Sequence, residues 1–107
     1  MAAVNQIDVN ELERLKQAGP VLLLDVRTDA EVARGVIGGA THIPLHLLPI
    51  RYTELRPDAV TVIYCQSGGR SAQACGWLAD QGFEKVFNLQ GGVTAWSREG
   101  LPLAALG

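Results

Sequence analysis

The sequence lacks both the long apolar runs and the excess of basic residues that direct a chain to membranes or nucleic acids. Its longer apolar runs, such as 21–24, are far shorter than the roughly 20 residues that a membrane-spanning helix needs. The formal net charge is -2, whereas attraction to phosphate backbones or anionic lipid requires clustered Lys and Arg. Residues 1–10 also lack the basic segment and apolar stretch of a secretory signal. We therefore expect no membrane partner, no nucleic-acid partner and a location in the cytoplasm.

Cysteine and histidine are scarce, and this restricts the chemistry that the chain can perform. The two cysteines, Cys65 and Cys75, stand ten residues apart and form neither a C-x-x-C motif nor a cluster with histidine. This spacing supports neither a disulfide framework nor a zinc site, and we expect no metal and no organic cofactor. The two histidines, His42 and His46, flank a proline in a turn-like region, where isolated histidines are usually solvated or bonded to nearby backbone.

Short apolar segments alternate with amphipathic ones along the whole chain. A chain of 107 residues is expected to bury about 65% of its unfolded surface, which is enough for one core. No repeat or linker interrupts it, so we expect a single domain over residues 1–107. The segments 21–25, 60–65 and 85–89 are unalternated apolar runs, typical of parallel strands buried on both faces. The alternation predicts an α/β fold with a mostly parallel central sheet and helices on both faces.

The amphipathic segments carry helix start and stop signals. Asp8 and Glu11 resemble a capping box, and Thr28 is placed to cap a short helix with Glu31 near its positive end. Glycines at 35, 82 and 100 follow three of the predicted helices as stop signals. The predicted helices run from residue 8 to about 18, from 28 to 34, from 70 or 71 to 81, and from about 93 to 98.

The segment from Cys65 to Ser71 joins a buried strand to a helix, where α/β sheets bind ligands. Gly68 and Gly69 permit backbone conformations in which peptide N–H groups converge on an anion, and the helix start adds its positive dipole end. Lowering a cysteine pKa from about 8.5 by two units takes roughly 2.7 kcal/mol. A helix terminus offers up to about 2 kcal/mol, and each hydrogen bond to a charged group about 1.5–3 kcal/mol. The loop therefore predicts a stabilised thiolate, or persulfide sulfur, at Cys65 without a neighbouring base.

Two other residues near the loop have predicted roles. Arg70 is expected to bind an oxyanion of a sulfur donor, to fix the loop by pairing with a carboxylate such as Asp25, or to do both at different stages. Cys75 shares a helical face with alanines, which favours a packing role over that of a resolving thiol.

Three ordered motifs resemble the rhodanese-like sulfurtransferase family in its single-domain form. They are 25–44, beginning Asp-Val-Arg, the loop 65–71, and 89–96, which contains Gly-Gly and ends in Trp. The resemblance implies that Cys65 is the sulfur-accepting nucleophile and Arg70 a second catalytic residue, with Asp25 and Arg27 as supports. Val32 and Val36 depart from the family pattern, which often has an aromatic residue and His there, so altered packing near Asp25 is expected. The implied substrate-binding residues are Gln66, Ser67, Gly68, Gly69, Arg70 and Ser71.

The resemblance implies transfer of sulfane sulfur from thiosulfate or a low-molecular-weight persulfide to cyanide, a thiol or a protein thiol. One alternative is a non-turnover sulfur carrier or regulatory binding module, whose loop would look the same and which only turnover would distinguish. A phosphatase or arsenate reductase is less well supported, because related enzymes have one more residue in the loop. Here four residues separate Cys65 from Arg70, and this smaller loop suits a single sulfur atom.

Overall fold

The computed structural model describes residues 4–107 and shows a five-stranded parallel sheet with the strand order β1-β5-β4-β2-β3. The three predicted strands are confirmed to within one residue at each end. The two edge strands were not predicted, because each has only two or three residues and no apolar run. Residues 1–3 lie outside the described residues, so the predictions for the domain and for the N-terminal segment are not compared there. The strands are β1 (Asn5–Ile7), β2 (Leu22–Asp25), β3 (Thr41–His42), β4 (Thr61–Tyr64) and β5 (Val86–Leu89).

Capping residues define the starts of the two N-terminal helices as predicted. Asp8 accepts a hydrogen bond from the Glu11 amide at 2.8 Å, and the Glu11 side chain accepts one from the Asp8 amide at 3.2 Å. Thr28 and Glu31 form the same reciprocal capping box. The Thr28 helix ends at Val32, two residues earlier than predicted, and the short third helix was not predicted. The helices are α1 (Val9–Ala18), α2 (Asp29–Val32), α3 (Leu48–Arg51), α4 (Gly69–Asp80) and α5 (Gly92–Arg98).

Helices cover both faces of the sheet, and each face has its own hydrophobic cluster. One cluster contains Ile63 of β4 with Leu78 of α4, and the other contains Val62 of β4 with Leu12 of α1. Neighbouring strand residues are therefore buried on opposite faces, which explains why the central strands are apolar throughout. The predicted α/β fold is confirmed. Within residues 4–107, every helix is too short or too polar to cross a bilayer.

The C-terminal segment packs along the domain beside the α2 region. Val36 and Ala104 form an antiparallel bridge, with both N–H···O distances at 2.7 Å. The Trp96 indole donates a hydrogen bond to the Pro102 carbonyl at 2.9 Å. The apolar tail 101–106 therefore contacts its own domain through Pro102 and Ala104. Val36 is buried, and its backbone holds the C-terminal segment through the bridge to Ala104.

The start of α5 is pressed against the segment that follows β4. Gly92 has a positive φ of 52°, and a Cβ added there would overlap the carbonyl oxygen of Cys65. Only glycine fits this position without displacing the backbone on one side or the other.

We predict that Gly92→Ala destabilises the fold by about 2 kcal/mol or more, because it combines a left-handed backbone with a backbone overlap. The measurement is the free energy of unfolding in urea. Gly76→Ala in α4 is the matched control. A Cβ there meets open space, so the change is expected to be neutral or stabilising by up to about 1 kcal/mol. A Gly92→Ala chain as stable as the wild type would contradict the packing described here.

Candidate active site

The Cys65 thiol lies at the carboxyl end of β4, beneath the loop that leads into α4. The residue is only 1% exposed. Its Sγ accepts hydrogen bonds from the Gly68 amide at 3.1 Å and from the Ser71 amide at 3.4 Å. Gly68 makes this approach possible because its φ is 109°, in the left-handed region. Backbone donors thus converge on the sulfur as the sequence predicts.

The first two carbonyl groups of the loop point away from the sulfur, because α5 binds them. The Val93 amide donates to the Cys65 carbonyl at 3.0 Å, and the Thr94 amide donates to the Gln66 carbonyl at the same distance. The Gln66 side chain also turns outward and contacts Thr94 at 3.3 Å. The first amides of one helix therefore fix the loop so that its amides, and not its oxygens, surround Cys65.

Two opposing effects act on the pKa of Cys65. Burial raises the pKa of the thiol, while hydrogen bonds from the Ser71 hydroxyl and amide and from the Gly68 and Ser67 amides lower it. The hydrogen bonds prevail, and the pKa lies below the ordinary value for cysteine. Within residues 4–107 no such donor contacts Cys75, and burial raises its pKa to about 12. It packs in the hydrophobic cluster on the α4 face, which confirms its predicted packing role.

The Ser71 hydroxyl is shared between Cys65 and Asn88, a residue that the sequence did not single out. Ser71 Oγ lies 2.5 Å from Asn88 Oδ1 and 3.4 Å from Cys65 Sγ. A hydroxyl has one proton, so the shorter contact to Asn88 holds it while the thiol is neutral, and it can turn to the sulfur when a thiolate forms. The amides are the permanent donors.

Asn88 also supports the loop from below. It is buried on β5, and its Nδ2 donates to the Gly68 carbonyl at 3.2 Å and to Gln6 Oε1 at 2.9 Å. Contact with a backbone carbonyl fixes the amide orientation, so Oδ1 faces Ser71. The available sequence signal was a polar residue in an otherwise apolar strand, since such a residue must find partners when buried.

Arg70 pairs with Glu31 and not with Asp25. Its Nη1 and Nη2 atoms donate to the two Glu31 oxygens at 2.7 and 2.8 Å. The predicted pairing of Arg70 with a carboxylate is confirmed, but Asp25, the example suggested, is wrong because Arg27 already occupies that buried carboxylate. Hydrogen bonding to Arg70 is the main reason why the pKa of Glu31 falls to about 2. The sequence placed Glu31 near the positive end of α2 but not beside Arg70.

The Asp25 and Arg27 pair is entirely internal. Arg27 Nη2 donates to Asp25 at 2.8 Å and to the Gly35 carbonyl at 2.7 Å, which ties β2 to the segment after α2. His42 Nε2 donates to the Arg27 carbonyl at 2.7 Å, and His46 is exposed. Both histidines therefore have the backbone-bound or solvated surroundings that the sequence predicts.

A groove of about 460 Å³ runs beside the loop. Its wall combines the charged residues of the α2 region with the loop and the C-terminal segment. Its lining includes Arg27, Glu31, Arg34, Gln66 and Leu103.

We predict that Asn88→Asp raises the pKa of the Cys65 thiol by about one unit, because the carboxylate removes the donor to Gly68 and adds a negative charge near the sulfur. The measurement is the pH dependence of Cys65 alkylation by iodoacetamide, followed by mass spectrometry of the peptide. Asn5→Asp makes the same change at an exposed position of β1 and should leave the pKa unaltered. A folded Asn88→Asp chain with the wild-type pKa would exclude an effect of Asn88 on the thiol.

Comparisons with known proteins agree with this geometry. Residues 8–99 match the family described as Rhodanese-like domain. A sulfurtransferase of Allochromatium vinosum is 52% identical over 103 residues, covering 95% of this chain and 96% of that protein. The thiosulfate sulfurtransferase GlpE of Ectopseudomonas mendocina is 32% identical, covering 90% and 87%. The crystal structure of a rhodanese-related protein from Thermoplasma volcanium is 29% identical, with a TM-score of 0.85 and coverage of 94% and 97%. The chain belongs to the rhodanese-like sulfurtransferase family.

Proposed function

We propose that this chain transfers sulfane sulfur from thiosulfate or a low-molecular-weight persulfide to an acceptor through a persulfide on Cys65. The observation that carries the proposal is the convergence of the Gly68 and Ser71 amides on a buried Cys65 sulfur. Such a site stabilises a sulfur anion, whereas an inert buried thiol would be surrounded by apolar groups, as Cys75 is. The location of this chain in the cytoplasm stays a prediction.

The proposed cycle has two displacement steps. In the first, the Cys65 thiolate attacks the outer sulfur of the donor, the sulfur–sulfur bond of the donor breaks, and sulfite or a thiolate leaves with its electron pair. In the second, cyanide, a thiol or a protein thiol attacks the outer sulfur of the Cys65 persulfide, and the Cys65 thiolate is the leaving group. The chain starts and ends the cycle as the thiolate.

The loop supplies this chemistry without a general base. The amides that bind the thiolate also bind the terminal sulfur of the persulfide, so the same donors serve both states. In this scheme Gln66, Ser67 and Gly69 complete the substrate-binding loop, and Arg70 and Ser71 close it. The Asp25–Arg27 pair keeps β2 in place beneath the loop. A phosphate needs a wider loop than the four residues between Cys65 and Arg70 provide.

We predict that the wild-type chain gains one sulfur atom on the peptide that contains Cys65 when it is incubated with thiosulfate or an alkyl persulfide. Cys65→Ser should abolish the gain, because the nucleophile is lost while the fold is kept. Intact-mass and peptide mass spectrometry make the measurement.

Cys75→Ser is the matched control and should keep the full gain, because the raised pKa and burial of Cys75 leave it without a reactive thiolate. Sulfur retained by the Cys65→Ser chain would overturn the proposal. Stoichiometric loading of Cys65 without turnover to cyanide or a thiol would instead favour the sulfur carrier.

A further inference from the structure

Two arginines beside the loop, Arg27 and Arg70, have their charge neutralised by a carboxylate. Arg27 forms a buried pair with Asp25 at 2.8 Å. Arg70 forms a two-bond pair with Glu31, in which the side chains are 37% and 28% exposed. The Cys65 site therefore holds converging amides but almost no uncompensated positive charge from these arginines.

Glu31 is fixed in this position by the start of α2. Its Oε1 accepts hydrogen bonds from the Thr28 amide at 3.0 Å and from the Thr28 hydroxyl at 3.1 Å, in addition to the bond from Arg70. The pKa of Glu31 lies at about 2, so the carboxylate is charged near neutral pH. An anionic sulfur donor that needs Arg70 must therefore compete with the Glu31 carboxylate, which is held in place by both Thr28 and Arg70.

The two donor classes of the proposed function differ in the charge that they bring to this site. Attack of the Cys65 thiolate on thiosulfate places three negative charges together and yields the persulfide anion and sulfite. Attack on a protonated alkyl persulfide places one negative charge there. The sulfur–sulfur bond of the alkyl persulfide breaks, and the electron pair of that bond leaves with the alkyl thiolate. The proton stays on the transferred sulfur. Because Arg27 and Arg70 are already paired, the first reaction meets stronger repulsion at the sulfur than the second, even though Arg34 also lines the groove.

The groove beside the loop has room for the alkyl part of such a donor. Its volume of about 460 Å³ lies in the range of small-molecule sites and is much larger than thiosulfate requires. Leu103 and Val93 contribute apolar wall, and Glu31 lines the same groove.

We propose that Glu31 is a specificity-determining residue that occupies Arg70 and thereby selects low-molecular-weight alkyl persulfides over thiosulfate as the sulfur donor. This inference rests on the proposed function and narrows it to one donor class. Glu31 acts through Arg70 and need not touch the reacting sulfur.

The test is Glu31→Gln, which removes the charge but keeps a side chain that forms a capping box at this position. The ratio of kcat/KM for thiosulfate to kcat/KM for a small alkyl persulfide should rise about tenfold, mainly through a lower KM for thiosulfate. This factor is what roughly one charge-assisted hydrogen bond provides. Glu11→Gln makes the same change in the capping box of α1, where Asp8 is the only hydrogen-bonding partner recorded within residues 4–107, and should leave the ratio unaltered.

The wild-type chain gives a second test that does not depend on a variant. Its kcat/KM for the alkyl persulfide should exceed that for thiosulfate by about tenfold or more. Equal use of the two donors by the wild type, or an unchanged ratio in a folded Glu31→Gln chain, would overturn the inference and leave the proposed function intact. Failure of both donors to load Cys65 would overturn both. If Glu31→Gln does not fold, the wild-type comparison decides.

Discussion

The proposed sulfur transfer places one constraint on the site: the Cys65 sulfur, which is almost fully removed from water, must carry negative charge. Burial opposes that charge, so the backbone has to replace the lost water with aligned donors. The fold achieves this by orienting the loop with its carbonyl groups outward and its amide groups toward the sulfur. Helix α5 binds the Cys65 and Gln66 carbonyls, Asn88 binds the Gly68 carbonyl, and the Gly68 and Ser71 amides are left facing the sulfur.

The charged side chains around the loop also pair with one another. Asp25 and Arg27 satisfy each other in the core, and Glu31 and Arg70 satisfy each other at the rim of the groove. The Asp25–Arg27 pair joins residues two positions apart, whereas the Glu31–Arg70 pair spans 39 residues of sequence. The donors that contact the Cys65 sulfur are the Gly68 and Ser71 amides and the Ser71 hydroxyl, none of which depends on a charged side chain.

Much of the fold and part of the site could be predicted from local patterns. Apolar runs identified β2, β4 and β5, capping boxes identified α1 and α2, and glycines identified the loop at Cys65. Strands β1 and β3 and helix α3 were missed because they have neither an apolar strand run nor a capping side chain. Asn88 and the Glu31–Arg70 pair were missed because tertiary contacts alone bring them to the loop. Asp25 was suggested as an example of the carboxylate that pairs with Arg70, because sequence does not reveal that Arg27 already occupies it.

The most direct test of this account is the pKa of the Cys65 thiol in a Cys75→Ser chain, measured by thiolate absorbance in the native state and again in urea. The structure predicts a lower pKa in the native state, because the amides are organised around the sulfur only when the chain is folded. A native pKa equal to or above that of the unfolded chain would mean that burial outweighs the hydrogen bonds, and the account would be wrong.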